Sequence, residues 1–485
     1  MKKVTLLAAS VLAGLMSAQA SAAVTPDVAL RGDAGWFRVG LFSRGFNKNV
    51  ETVGRLGNEN DTYLELAPQV TLAEVDGVEY RFVSSFGMGS TYKGGWAGTN
   101  SQRGDRDARK EGGNNDLGDF SNLSFGLTQA YVRVTGLLDS DKDATIWVGK
   151  KYQRQDSFIV DNKYRDVSGD SVGIENLSVG SGKFRATWVR RDSEAVFTNK
   201  YDGFSALEGD AAYDKEKGDL RPSKITNNIF DVSYAFPVGA ETSLDLGYTF
   251  IAPQRYASEY SNYGYKMKDE VGNSHLVLAK LDTKLFNCVN NTTVLRYVRG
   301  STAEGGYTAH TYDVHSQDDS SYSIDLINHG TAKLTDRIGM HYHTWFNFAR
   351  TTNNIGDNDS KEISRSFQLV LRPHYKLTKM TRLELEAGMS TKLTAKDNYV
   401  KNENSFSDEQ AQKLTLAYAI TPDAGAMFAF PELRFFVTYK HYNDDHVGTY
   451  GHDFKVKNEA TGKPEQLYKG RKTETFFGAQ VDAAF

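Results

Sequence analysis

Asp139-Ser140-Asp141-Lys142-Asp143 sets three carboxylates two residues apart, the opening of a calcium-binding loop. Such a loop needs glycine at its sixth position to turn sharply and glutamate at its twelfth to close the coordination sphere. Ala144 and Lys150 stand there, so the segment reads as a solvated turn. Gly180-Ser181-Gly182-Lys183 has part of a phosphate cradle. It lacks the remaining glycine, and Phe184 stands where Ser or Thr would hold magnesium. His441, His446 and His452 fall in or beside one long polar stretch, where a charged surface loop is the plainer reading than a metal site. His341 and His343 share one face at strand spacing. No acid–base constellation stands out, which disfavours an enzyme.

The elements that carry these residues are set by export and by period. Lys2 and Lys3 precede an apolar run from Val4 to Met16, then Ala18-Gln19-Ala20 and Ala20-Ser21-Ala22. A short apolar core followed by small residues is a secretory signal peptide. We place it at residues 1–22, with a cut after Ala20 as the alternative. No later stretch approaches the roughly 20 apolar residues of a spanning helix. Cys288 is the one cysteine, so no internal disulfide forms. A net charge of -4 gives no support for nucleic-acid binding. With 44 Gly, 26 Tyr, 27 Phe and only 9 Pro, the composition suits strands and turns at a membrane interface, or a soluble β-sandwich.

Period-two alternation separates these two. Phe37, Val39 and Leu41 share one face, and Trp36, Arg38 and Gly40 the other. Leu64 and Leu66 oppose Tyr63 and Glu65. Leu383, Leu385 and Ala387 oppose Arg382, Glu384 and Glu386. At the C-terminal end, Phe477, Ala479, Val481 and Ala483 oppose Gln480, Asp482 and Ala484. The polar faces mix charged groups with large aromatics, as a barrel with an apolar outside and a polar lumen requires. About eighteen such segments recur, joined alternately by tight turns such as Val75-Asp76-Gly77 and by long stretches rich in Gly, Asn and Asp. The expected fold is all-β: an 18-stranded transmembrane antiparallel barrel in a single domain, residues 23–485.

Several blocks resemble the maltoporin family of sugar-specific outer-membrane porins. They include Gly35-Trp36-Phe37-Arg38, Arg55-Leu56-Gly57-Asn58-Glu59, Thr62-Tyr63-Leu64-Glu65-Leu66, Thr145-Ile146-Trp147-Val148-Gly149-Lys150, Gly173-Ile174-Glu175-Asn176, Leu371-Arg372-Pro373 and Phe477-Gly478-Ala479-Gln480, in one order along the mature chain. The resemblance implies a homotrimer whose pores are narrowed by an inward-folded third loop, about residues 150–172. Sugars would pass along aromatic rings flanked by charged partners. A pyranose offers an apolar C–H face to a ring and a rim of hydroxyls to charged groups. Each contact must be weak enough to release what it admits.

Carried over residue by residue, Trp36 and Tyr63 match the aromatic path, and parity turns both inward. Trp96 resembles the ring that a neighbouring subunit lends to the pore mouth, and Phe428 takes the place of a path tryptophan. For both, a place in the interfacial aromatic girdle is the alternative. Arg38, Arg55, Glu65, Arg154, Asp156 and Asp161 match the polar partners. The chain departs from the pattern where Lys163 replaces a constriction tyrosine, with Arg165 also in an aromatic's place. Thr128 replaces an arginine, Ala484 stands at an inward aromatic position, and one path position falls on Phe286 or Asn290. The expected partners are carbohydrate, outer-membrane lipid and like subunits, with a phage or a periplasmic sugar-binding protein as candidates. No cofactor is implied. A general diffusion porin, or an adhesin or phage receptor acting through its loops, is the competing reading.

Overall fold

A computed structural model describes residues 35–43, 53–59, 62–90, 123–160, 162–194, 224–254, 272–303, 320–353, 360–398, 403–443, 454–457, 464–468 and 472–484. The wall begins with β1 (Gly35–Phe42). Its next strand is interrupted at Ala67 and Pro68 into β2 (Thr62–Leu66) and β3 (Gln69–Val75). Proline has no N–H for the ladder, and the Pro68 carbonyl instead accepts from the Ser84 N–H at 3.1 Å. The wall continues through β4 (Val78–Ser90), β5 (Leu123–Thr135) and β6 (Thr145–Lys151). Two short strands, β7 (Arg154–Asp156) and β8 (Lys163–Asp166), pair only with each other. The wall then resumes with β9 (Gly169–Val179), β10 (Gly182–Glu194), β11 (Lys224–Gly239), β12 (Thr242–Gln254), β13 (Ser274–Leu285) and β14 (Val289–Gly300). It runs on through β15 (Tyr322–Lys333), β16 (Ile338–Asn353), β17 (Ser360–Lys376), β18 (Thr381–Asn398), β19 (Glu403–Ile420) and β20 (Glu432–Tyr442). A second separate hairpin, β21 (Phe454–Lys457) with β22 (Pro464–Tyr468), precedes β23 (Thr473–Ala484).

Each wall strand pairs antiparallel with its neighbours, and β23 pairs with β1 from Trp36–Ala484 to Phe42–Gly478. With β2 and β3 counted as one broken strand, the result is a closed 18-strand barrel. Closure leaves no unpaired edge, so the backbone polar groups of the wall are satisfied without water. The two-residue turn Asp76-Gly77 has φ of 51° and 79°, the left-handed pair that a tight hairpin favours and that Asp-Gly adopts readily.

The two faces meet different surroundings. On β23, Phe477 is 66% exposed on the outer surface, whereas Gln480 is 1% exposed on the inner one. The same split holds on β18, where Leu383 and Leu385 are outside and Arg382, Glu384 and Glu386 are buried inside. Short turns gather at one end and long connections at the other, so the short-turn end is the periplasmic one.

Candidate functional site

Two segments enter the lumen from the long-loop end. The first, Val53–Glu59, follows β1 and lies against β18, β19, β20 and β23. Glu386 accepts the Leu56 N–H at 3.0 Å. Lys413 donates to the carbonyls of Gly54 and Leu56, each at 2.7 Å, and to Glu386 at 2.6 Å. Lys440 donates to Asn58, and Leu56 packs on Ala417, Phe436 and Phe476. Gly54 makes this close approach possible. It has a φ of 99°, and a Cβ there would meet the Glu386 carboxylate at 2.3 Å. Arg55 lies in this segment, whose inward turn the strand alternation does not announce; the closely spaced Gly54 and Gly57 are its one sequence signal.

The third connection, residues 152–168, carries the β7–β8 hairpin across the lumen. The guanidinium of Arg296 on β14 donates to the carbonyls of Lys163 at 3.2 Å and Tyr164 at 3.4 Å, and pairs with Asp325 at 2.8 Å. The inner wall turns apolar beneath the hairpin, where Tyr164 packs on Leu276, Leu278, Val294 and Trp345. Burial raises the Tyr164 hydroxyl's pKa, and it stays neutral. Arg165 pairs with buried Asp231, so it serves as an anchor to β11 rather than as a group lining the passage. The two inward segments touch, because Ile159 accepts the Arg55 N–H at 3.1 Å.

Along the remaining passage, Tyr63 donates to Glu65 at 2.5 Å, and the other Glu65 oxygen accepts from Ser85 at 2.7 Å. Thr128, in place of an arginine, completes this chain by donating to Ser85 at 2.8 Å. Arg38 pairs with Glu59 at 2.7 Å, and Arg55 Nε donates to the same carboxylate at 2.6 Å. Burial pushes the Glu59 carboxyl up, but Arg55 and Arg38 together outweigh it and hold the pKa at about 2. Arg154 and Asp156 pair at 2.5 Å within the hairpin, and Asp156 lies opposite Lys163.

The aromatic side chains fall at successive heights. Tyr63 pairs across the ladder with Arg38, two residues nearer the long loops than Trp36. Trp36 meets Phe430 edge-on at 4.9 Å. Phe428, in the turn after β19, is 50% exposed and meets Phe158 at 4.7 Å and His341 at 4.9 Å. Phe158, at the tip of the inward hairpin, and Phe430 were not singled out from sequence, because only the fold brings them together. Phe286 is 89% exposed in a short turn, so it does not line the lumen, while Asn290 has inward parity on β14. Ala484 lies opposite Trp36 at the seam. Trp96 and Asp161 lie outside the described residues.

Against the expectation that no G-x-S-x-G elbow is present, Gly169-Asp170-Ser171-Val172-Gly173 has the letters of that hydrolase motif. That motif needs a sharp strand-to-helix turn. Here the run is regular strand in β9, and Ser171 donates to the Gly149 carbonyl at 3.2 Å, so it supplies no nucleophile.

A lipid-facing closed barrel with a charged lumen narrowed by its own loops defines a porin. The model of the family described as LamB porin matches residues 31–485. Similar curated proteins are "Maltoporin 1" of Klebsiella pneumoniae, 27% identical over 99% of each chain, and "Maltoporin" of Photobacterium profundum. The latter is 29% identical over 89% of this chain and 92% of the relative. "Maltoporin 2" of Yersinia pseudotuberculosis is 28% identical over 89% and 87%. Among solved structures, OccAB2 of Acinetobacter baumannii aligns over 94% of this chain and 99% of its own, with a TM-score of 0.44 and 9% identity. The chain belongs to the LamB porin family. It is a Gram-negative outer-membrane protein and a channel rather than an enzyme.

Proposed function

We propose that the chain is a passive, carbohydrate-selective channel in which sugars move along Tyr63, Trp36, Phe430 and Phe428, with Phe158 facing the last of these. Arg38, Arg55, Glu65, Arg154, Asp156, Asp161 and Lys163 serve the hydroxyl rim. The carrying observation is that Tyr63 and Trp36 stand on the lumen face beside Glu65 and Arg38. A half-buried ring next to a fixed charge matches both surfaces of a pyranose. The maltoporins to which the chain is similar are named for the same ligand class. The reading extends to a signal peptide at residues 1–22 and to a homotrimer in which Trp96 serves a neighbouring pore. Lys163 on the constricting hairpin offers a cation in place of a ring. That favours smaller, modified or anionic sugars over long maltodextrins.

The test is current noise in planar bilayers against maltodextrins, sucrose, β-glucosides and uronic oligomers. Concentration-dependent block by at least one neutral sugar is expected. An ohmic current unaffected by every sugar would make the chain a general diffusion porin. Lys163→Tyr should tighten maltodextrin block, and an unchanged half-block concentration would remove the role given to Lys163.

A further inference from the structure

We propose that Arg133, Lys151 and Arg185 form an anion subsite on the lumen wall, apart from the aromatic path, for the carboxylate or phosphate of an acidic sugar. The proposal rests on the sugar-channel reading and adds a ligand class and a second station to it. It starts from an imbalance in how the wall pairs its charges. Some lumen cations have carboxylates of their own, Arg296 with Asp325 and Arg434 with Glu432 and Asp482, and the two that share Glu386, Arg372 and Lys413, are buried. From β4 to β10 cations share carboxylates at partly exposed positions. Arg81 on β4 lies directly opposite Arg133 on β5, an arrangement of like charges that destabilises a sheet. One carboxylate serves both: Glu79 pairs with Arg81 and stands 4.0 Å from Arg133. On β10, the nearest carboxylate to Arg185 is Asp231 at 3.6 Å, already held by Arg165. Asp245 is 3.9 Å from Arg165, too far to complete a hydrogen bond.

Lys151 joins the two halves. It pairs with Glu175 at 2.7 Å, lies 3.8 Å over the Trp147 ring, and feels the charges of both Arg133 and Arg185. The group therefore holds one more cation than carboxylates. The Arg133 side chain is 31% exposed and that of Arg185 is 22% exposed. Among the described residues, the buried Nε atoms of Arg81, Arg133 and Arg185 have no acceptor. Partly exposed guanidinium groups with an excess positive charge suit a carboxylate or phosphate oxygen far better than a neutral hydroxyl. Arg133 and Arg185 both lie close to short turns, so the subsite falls in the periplasmic half of the passage.

The test uses the full channel in planar bilayers. Block by trigalacturonate and by glucose 6-phosphate is titrated beside maltotriose and glucose in 0.1 M and 1 M salt. At 0.1 M, at least one acidic probe should reach half-block at about tenfold lower concentration than its neutral counterpart, the effect of one charge-assisted contact. The preference should collapse at 1 M, where screening acts over ~3 Å. Preference for the uronate alone assigns a carboxylate, and for the phosphate alone a phosphate. R133Q should lose most of the preference while maltotriose block is unchanged; R185Q provides a second, independent variant. Acidic probes that block no more tightly than neutral ones in the unaltered channel overturn the proposal, as does full preference retained in both variants. Absence of neutral-sugar block with acidic block present would sink the sugar-channel reading and leave the subsite standing.

Discussion

Replacing Glu386 with alanine should unlock the first inward segment and raise the channel's conductance. The carboxylate is fully buried, and its three partners are Leu56 N–H at 3.0 Å, Lys413 at 2.6 Å and Arg372 Nε at 2.6 Å. Removing one partner of a buried ion pair costs about 3–5 kcal/mol, because the other charge is stranded. Here two cations are stranded, Lys413 and Arg372. Lys413 regains solvation most cheaply if Val53–Glu59 lifts away and admits water. The segment also loses its bond to a charged acceptor, worth about 1.5–3 kcal/mol. Lys413's bonds to the Gly54 and Leu56 carbonyls remain and limit the effect. A net shift of about 2–3 kcal/mol toward the lifted state is a change of roughly 30- to 150-fold in that equilibrium. Single-channel recording should show higher unitary conductance and excess open-channel noise, with weaker sugar block as Arg55 leaves with the segment. Gly388→Ala is the companion, since its Cβ would lie 2.0 Å from the Val53 carbonyl. It adds bulk to the lumen yet should raise conductance as well, by displacing the same segment. A Glu386→Ala channel that folds and conducts with unaltered unit size and noise would refute this account.

Acid should loosen the same segment through Glu59. Its carboxyl is held at about 2 against an ordinary value of 4.5. Its stabilising contribution is therefore complete above pH 4.5 and lost as pH falls from there toward 2. Open-channel noise should rise below about pH 3 and be present at neutral pH in Glu59→Gln; a flat record from pH 7 to pH 2 counts against the assignment. Arg434→Ala removes the cation that lies 2.7 Å from Asp482 and Glu432 and 3.6 Å from Glu384, leaving Arg382 to hold both glutamates at 2.8 and 2.7 Å. The urea midpoint in lipid should fall by the equivalent of about 3–5 kcal/mol, and an unchanged midpoint would show that the remaining Arg382 suffices. Phe158→Ala removes the ring that faces Phe428. Sugar half-block should rise about 3- to 10-fold, the range of an aromatic contact worth about 0.5–1.5 kcal/mol, without a shift in the urea midpoint.

The wall was legible because its alternation is strict. Each strand must keep one face for lipid and one for the lumen, so Trp36, Arg38, Tyr63 and Glu65 could be turned inward by parity alone. The contents of the lumen were less so. Phe158 and Phe428 are separated by most of the chain and meet only because residues 152–168 cross the barrel. Arg165 stood at an aromatic's place in the family pattern, yet its role is set by Asp231 on a strand that sequence spacing does not connect to it. The imbalance between Arg81, Arg133 and Glu79 depends on register, because only the pairing of β4 with β5 places the two arginines opposite each other. Loop packing and cross-strand partners leave no periodic trace in the chain.

The seam between β1 and β23 joins residues far apart in the chain. Ser43 Oγ accepts the Phe477 N–H across 434 residues, and the same seam sets Trp36 beside Ala484 and Arg38 beside Asp482. Every other neighbouring pair in the wall is linked by one connection, which limits the registers it can adopt. At the seam no such tether acts, and the entropy lost on joining the ends grows only slowly with the length enclosed. A slip of one residue there would turn β1 over, exposing Trp36 and Arg38 to lipid and sending Phe37 and Val39 inside. Fidelity of ring closure is thus inseparable from the channel's chemistry: the step that completes the wall also decides whether the passage carries Trp36 with the charge of Arg38 or the uncharged stripe of Phe37 and Val39.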